Sequence, residues 1–243
     1  MTAILSAETR KLCTVRSTWL LLTVAQAILL IGISGVMLDR DDVASPAVQQ
    51  SAVAHLGLVS LFSLVLGITA VAGEYRHRTI TDAYLAVPQR QRVVWAKLVV
   101  YTGAGAIFGV IAAVVAVGAS AIWLAARDAS LTVESADLWF TVAGGVAWNA
   151  AFAAIGVGVG ALITNQIGAI AAALAWVALV EGLAAQLIGD AQRWLPFALG
   201  SALDRLPTAA DGPAQWTAGL ALAGYAVAFA AAGTATTVRR DVT

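Results

Sequence analysis

Few residues of this chain could carry chemistry, and they fall into two groups. The first is the polar stretch EYRHRTITDAYLAVPQRQRVVWAK at residues 74–97, where five Lys and Arg residues accompany Glu74 and Asp82. The second is Glu181, an acid inside a long apolar run. A basic stretch can bind an acidic partner or anionic lipid. An acid in an apolar segment usually has a bonded partner or transfers protons.

The sequence predicts neither a catalytic centre nor a metal site. Its one cysteine, Cys13, and its two histidines, His55 and His77, do not form a ligand cluster. The motifs of serine hydrolases and zinc proteases are missing, as is a phosphate loop ending in Gly-Lys-Ser/Thr. The run GVGVG at residues 156–160 lies in an apolar segment, which favours close helix packing. We therefore expect no enzyme activity and no cofactor in this chain.

The composition indicates an integral membrane protein. Hydrophobic residues make up 60% of the chain and charged residues 12%, whereas a soluble domain is nearer half apolar and a quarter charged. A helix needs about 20 apolar residues to cross a bilayer. The sequence therefore predicts one all-α membrane domain, with no nucleic-acid partner. Its six predicted spans lie at about residues 17–38, 51–73, 98–126, 138–163, 167–188 and 215–238.

The charge distribution predicts the orientation of these spans. With six spans, the two termini and the 74–97 loop lie on one side, and together they contain ten Lys and Arg residues against four on the other side. Basic loops stay in the cytoplasm, so we expect both termini to be cytoplasmic. The high content of Ala, Gly and Val with little Lys favours a bacterial cell membrane.

The basic stretch has local structure of its own. Thr79 and Asp82 have the spacing of a capping box, and Pro88 would end the helix that follows, so a short helix is expected over about residues 80–87. Its apolar side chains, expected to dock in a groove of a partner, are Ile80, Tyr84 and Leu85. The alternative is that the arginines only set topology and contact anionic lipid.

Two further regions allow more than one interpretation. Within residues 2–16 the apolar residues recur at roughly helical spacing with charged residues between them, which predicts an interfacial amphipathic helix, with a solvated tail as the alternative. Glu181 could carry protons or contact a substrate, or it could simply lie near the outer end of its span. The residues that could line a transport path are Gln26, Trp148, Asn149, Trp176 and Glu181. A lone Asn in a span is more often an interhelical hydrogen-bonding residue.

Four segments, in order along the chain, carry a family resemblance. They are SAETRKLCTVRSTWLLL before and into span 1, the 74–97 stretch, GVGVGALITNQIGAI at the turn between spans 4 and 5, and WLPFALGSAL after span 5. In this order the chain resembles the six-helix permease subunits of ATP-binding-cassette exporters, of the type-2 permease superfamily. Each motif is weak alone, and their order relative to six spans makes the combination more specific.

The resemblance implies a pair of permeases, copies or relatives of one another, with two cytoplasmic ATPase subunits that bind ATP and magnesium. The 74–97 loop would contain the coupling helix that sits on the ATPase, and residues 2–16 would be an elbow helix. The 189–214 loop would form re-entrant helices on the outer side. The docking contacts carried over are Glu74, Arg76, Arg78, Thr79, Asp82, Pro88, Arg90 and Arg92. The expected function is export driven by the partner ATPase; the alternative is a stand-alone proton-coupled carrier using Glu181.

Overall fold

The computed structural model describes residues 1–87, 89–206 and 211–239, and these residues form helices and connecting turns without a strand. The α-helices are α1 (Thr2–Thr14), α2 (Arg16–Asp39), α3 (Pro46–Ala54), α4 (Ser60–Arg76), α5 (Ile80–Ala86), α6 (Arg90–Ala125), α7 (Ala136–Leu162), α8 (Gln166–Ala175), α9 (Gly182–Leu187), α10 (Pro196–Leu203) and α11 (Gln215–Arg239). A 3₁₀ turn, His55–Val59, joins α3 to α4, and a second, Gly189–Trp194, precedes α10. A π-helical segment, Trp176–Glu181, joins α8 to α9.

Five helical segments of the described residues are long and apolar enough to cross a membrane. They are α2, the continuous stretch Pro46–Arg76, α6, α7 and Gln215–Thr237 of α11. These segments correspond to the predicted spans 1, 2, 3, 4 and 6. The chain is therefore an all-α, multi-pass membrane protein, as the composition predicted.

The predicted fifth span differs from the other five. Asn165 begins α8 as expected for a turn residue, because its Oδ1 accepts a hydrogen bond of 3.0 Å from the Gly168 amide. The helix then changes to π geometry at Trp176–Glu181 before α9. A π segment fits extra backbone into a turn and reorients the side chains beyond it. Hydropathy cannot detect this change, and the six-span count stays a prediction.

The third predicted span begins earlier than expected. Its helix, α6, starts at Arg90 rather than near residue 98 and runs for 36 residues. At 1.5 Å per residue it is about 54 Å long, well beyond the roughly 30 Å hydrocarbon core of a bilayer. The last eight residues of the 74–97 stretch therefore form the first two turns of this long helix.

Helix α7 lies at the centre of the bundle and packs against α4, α6 and α11. Its approach to α4 is close enough that only glycine fits at the contact. A methyl group on Gly67 would collide with the Ala153 carbonyl oxygen, and one on Gly156 would collide with the Leu64 carbonyl oxygen. Gly158 packs in the same way on Phe229 of α11. The expectation that GVGVG is a packing surface is confirmed.

We expect Gly67→Ala to lower the thermal stability of the detergent-solubilised protein, because overpacking a tight contact costs about 1–3 kcal/mol. Gly103→Ala is the matched control, since a methyl group there has no neighbour within 4 Å. That control should be neutral or slightly stabilising, as alanine is the better helix former. Equal melting temperatures for the two variants, measured by size-exclusion chromatography after heating, would contradict this account.

Candidate functional site

The segment between α4 and α6 turns sharply and contains the short helix predicted there. Helix α5 covers Ile80–Ala86, close to the predicted 80–87. The turn into it uses Arg78, whose φ of 57° lies in the left-handed region. Val87 is extended at the end of the helix, as is usual for a residue before proline. Pro88 itself lies outside the described residues.

The capping box predicted for this helix is wrong. Thr79 precedes α5, but its side chain does not bond to a helix amide. An N-cap residue needs extended backbone angles, whereas Thr79 has φ −87° and ψ −9°. Its amide instead donates a 3.0 Å bond to the Glu74 carbonyl oxygen. The last turn of α4, rather than a side-chain cap, therefore sets the start of α5.

Helix α5 is held by its inner face. Ile80 and Tyr84 are 3% and 9% exposed and pack against Val93 of α6. Leu85 is 77% exposed. The expectation that all three apolar side chains face a partner is thus wrong for Ile80 and Tyr84, because α5 needs them as its own anchor. Only Leu85 is free to contact another molecule.

The arginines around α5 also fall into two groups, one that packs against the protein and one that is exposed. Arg90 lies over the Tyr84 ring, 5.1 Å from its centroid, and donates to the Thr237 carbonyl oxygen of α11 at 3.4 Å. The remaining exposed positions of this loop that were expected to dock are Arg76, Arg78, Thr79, Asp82 and Arg92. Together with Leu85 they form what we call the loop surface. It has three arginines and one acid, so it suits an acidic partner.

Glu74, also expected at a docking contact, points into the protein instead. The Lys97 ammonium is 1% exposed and donates to Glu8 Oε2 at 2.8 Å and to Glu74 Oε1 at 2.7 Å. Lys11 Nζ donates to Glu8 Oε1 at 2.9 Å and shares Glu74 Oε1 at 2.7 Å. We call these four residues the charge cluster. It joins α1, α4 and α6 at one point.

The charge cluster has two positive and two negative groups, so its formal charge is zero. A buried ammonium without a partner is strongly unfavourable, and each carboxylate here is bonded to both lysines. Burial alone would lower the pKa of Lys11, but its hydrogen bonds to Glu74 and Glu8 outweigh burial and raise that pKa. Lys11 therefore stays charged at neutral pH, and the cluster holds three helices together.

Sequence reasoning missed three of these four residues. Glu8 and Lys11 were placed only within the predicted interfacial helix of residues 2–16, and Lys97 only among the basic residues of the 74–97 stretch. Two signals were present: Glu8 and Lys11 are one helical turn apart, and Lys97 directly precedes the apolar part of α6. Neither signal says which distant residue completes the cluster.

Two of the residues expected to line a path lie inside the bundle. Asn149 is fully buried, and its Oδ1 accepts a 2.8 Å bond from the Ser63 hydroxyl of α4. Its Nδ2 donates to the Gly145 carbonyl oxygen at 2.9 Å. Trp148 is also fully buried and meets the Phe197 ring edge-to-face, with 5.1 Å between centroids. Asn149 therefore makes an interhelical hydrogen bond, which is the more usual role of a lone Asn in a span.

Glu181 anchors the start of α10. It is 8% exposed, and its carboxylate accepts hydrogen bonds from the backbone amides of Phe197, at 3.0 and 3.1 Å, and Ala198, at 3.2 Å. Trp176 Nε1 donates a further bond at 3.2 Å. Both amides belong to the first turn of α10, where a negative charge is stabilised by the helix dipole. The π geometry of Trp176–Glu181 immediately precedes this contact.

The five path candidates are therefore not gathered at one place. Trp176 and Glu181 line a single cavity of about 460 Å³. Gln26 lies in α2, and neither atom of its amide has a hydrogen-bond partner among the described residues. Among all the residues that the structure describes, no group of three or more His, Cys, Asp or Glu side chains could hold a metal ion.

Asp204, just after α10, is a buried acid that sequence reasoning did not single out. It is fully buried and has no hydrogen-bond partner in good geometry within the described ranges. Burial raises the pKa of this carboxyl well above its ordinary value, and the nearby Gly57 amide opposes the shift only in part. The side chain packs between Gly57 and Gly145.

We expect Lys97→Met to destabilise the protein by about 3–5 kcal/mol, because it leaves two buried carboxylates with only one ammonium. Lys11→Met is the matched comparison: Lys11 is 45% exposed, and Lys97 would still bond to both acids. Lys11→Met should therefore lower the stability clearly less than Lys97→Met does. Thermal melting and protease cleavage of α1 would report both effects, and equal losses would refute the central position of Lys97.

We expect Glu181→Gln to lower the stability by about 1.5–3 kcal/mol, because a neutral amide replaces the carboxylate that accepts hydrogen bonds from the α10 amides. Glu134→Gln is the control, because Glu134 is exposed and should be insensitive to the same change. Melting temperatures of the two variants in one detergent give the comparison. An unchanged Glu181→Gln protein would show that Glu181 does not anchor α10.

Comparison of the sequence with models of known protein families and with curated proteins finds no match. The resemblance to exporter permeases therefore depends on the four sequence segments alone.

Proposed function

We propose that this chain is the membrane permease subunit of an ATP-binding-cassette exporter, driven by a separate cytoplasmic ATPase. One observation supports this proposal most: a short helix between two predicted spans is fixed by Ile80 and Tyr84, and its exposed Leu85 lies in a loop that also exposes three arginines outside the helix itself. A helix with this arrangement suits a groove of a partner better than contact with lipid headgroups alone, because the apolar Leu85 is nearly fully exposed among the charges.

The connections of α5 support a role in passing on movement. Ile80 and Tyr84 attach it to α6, and the charge cluster fastens the end of α4 to the start of α6. A push on the loop surface would therefore reach the second and third predicted spans directly. In the proposed cycle the partner binds ATP and magnesium, and a second permease, a copy or a relative of this chain, completes the pathway. ATP can shift the permease only by interacting differently with its two states.

The stand-alone carrier is the weaker alternative. It requires Glu181 to exchange protons with water during each cycle. In the structure both oxygens of that carboxylate accept backbone amides of α10, which is the bonding of an anchor. We therefore retain the carrier only as an outcome of the experiment that follows.

We expect the tagged chain, purified in mild detergent from its own host, to bring with it a soluble ATPase with vanadate-sensitive turnover. Arg76→Gln combined with Arg92→Gln should reduce recovery of that ATPase about tenfold or more, because two charges of the loop surface are lost. Arg193→Gln is the matched control, since it is an exposed arginine of the opposite loop.

Membrane levels of each variant, measured in parallel, separate lost docking from lost insertion. Recovery of the chain without any ATPase, together with transport that Glu181→Gln abolishes, would overturn the proposal and favour the carrier. Normal ATPase recovery with the double variant would leave an ATPase partner but remove the loop surface as its docking site.

A further inference from the structure

The cavity that Trp176 and Glu181 share is enclosed on several sides. Its volume is about 460 Å³, within the roughly 300–1,000 Å³ of small-molecule sites. Its lining includes Phe152 of α7, Ala173 of α8, Phe229 of α11 and Pro196 at the start of α10. Helix α4 and the π-helical segment also contribute to the lining, so six elements surround one space.

The cavity is lined by both α8 and α11, and the weak contact between these helices leaves room for an opening between them. These two helices make at most marginal contact with each other among the described residues, although both line the cavity. Trp176 lies at the edge and is 45% exposed. The neighbouring outer positions Leu179 and Leu183 are 60% and 56% exposed. Lipid covers such an apolar face wherever no second protein does, and a molecule would then enter the cavity from the bilayer.

The polar groups that line the cavity already have partners. Glu181 accepts from the α10 amides, Trp176 donates to Glu181, and the Tyr225 hydroxyl donates to the Trp194 carbonyl oxygen at 3.2 Å. Among the residues that the structure describes, no Lys, Arg or His lines the cavity. A charged or strongly polar ligand would lose its water without finding a free hydrogen-bonding group, which is costly. The chemistry of the walls therefore selects against ions.

We propose that this cavity binds an uncharged lipophilic body taken from the bilayer: either the acyl chain of a membrane lipid or a neutral hydrophobic molecule. The rings of Phe152, Trp176 and Phe229 supply the large apolar and aromatic contact area that such a body needs. Glu181 acts here by holding α10 as the end wall. The binding goes beyond the proposed export role and does not depend on a partner ATPase.

The test is native mass spectrometry of the full chain in detergent. The probes are N-phenyl-1-naphthylamine as the neutral lipophile, tetraphenylphosphonium as the lipophilic cation, and a phospholipid. Ala173→Phe would fill the cavity, and Ala172→Phe from the same wall is a second filling variant should the first fold poorly. Ala171→Phe is the matched control, because that residue is exposed on the same helix and is not part of the lining.

We expect the native chain and Ala171→Phe to hold one neutral molecule that the filling variants lose, with affinity lower by about tenfold or more. If the neutral probe displaces a retained phospholipid, an acyl chain is the native occupant; if it binds beside the phospholipid, the occupant is a separate lipophile. Equal binding by all variants would overturn the proposal. Tighter binding of tetraphenylphosphonium that Glu181→Gln abolishes would overturn it as well, in favour of a cation site.

Discussion

The buried ammonium of Lys97 is the constraint on which the arrangement of α1, α4 and α6 depends. It lies on α6 at 1% exposure, where water cannot solvate it, so the fold must supply anions. Glu8 comes from α1 and Glu74 from α4. Because both must reach one atom, the N-terminal helix cannot lie anywhere else along the bundle. The amphipathic pattern of α1 predicts a helix, but the Lys97 charge determines where that helix lies.

The same constraint defines α5. Glu74 and Lys97 are 23 residues apart, and their side chains bond at 2.7 Å. The segment between them is therefore a loop whose two ends are held together. Ile80 and Tyr84 pack this loop against α6. A helix of seven residues is too short to be stable alone. The exposed arginines therefore have a defined position because of bonds that they do not make themselves.

Hydropathy predicted the helical, multi-pass character and five of the spans, and local helix start and stop signals predicted a short helix close to α5. These features depend on local composition, which a sequence carries directly. The failures have a different origin. The Thr79 cap was lost because α4 continues its own hydrogen bonding to that residue. The π segment was missed because its residues are as apolar as those of a regular helix. The charge cluster was missed because it joins residues 63 to 89 positions apart.

The two acids that first suggested function, Glu74 and Glu181, show what an acid in an apolar setting can do. Each was a candidate because burying a carboxylate is costly, and that cost holds whichever role the acid has. In both cases an irregular segment brings a hydrogen-bond donor to the carboxylate and so offsets the cost of burying it. The α5 loop places Lys97 beside Glu74, and the segment between Glu181 and α10 places the amides of α10 beside Glu181. Buried acids thus mark the places where this helical bundle departs from regular packing. The candidate surfaces lie beside them, the loop surface at one and the lipophilic cavity at the other.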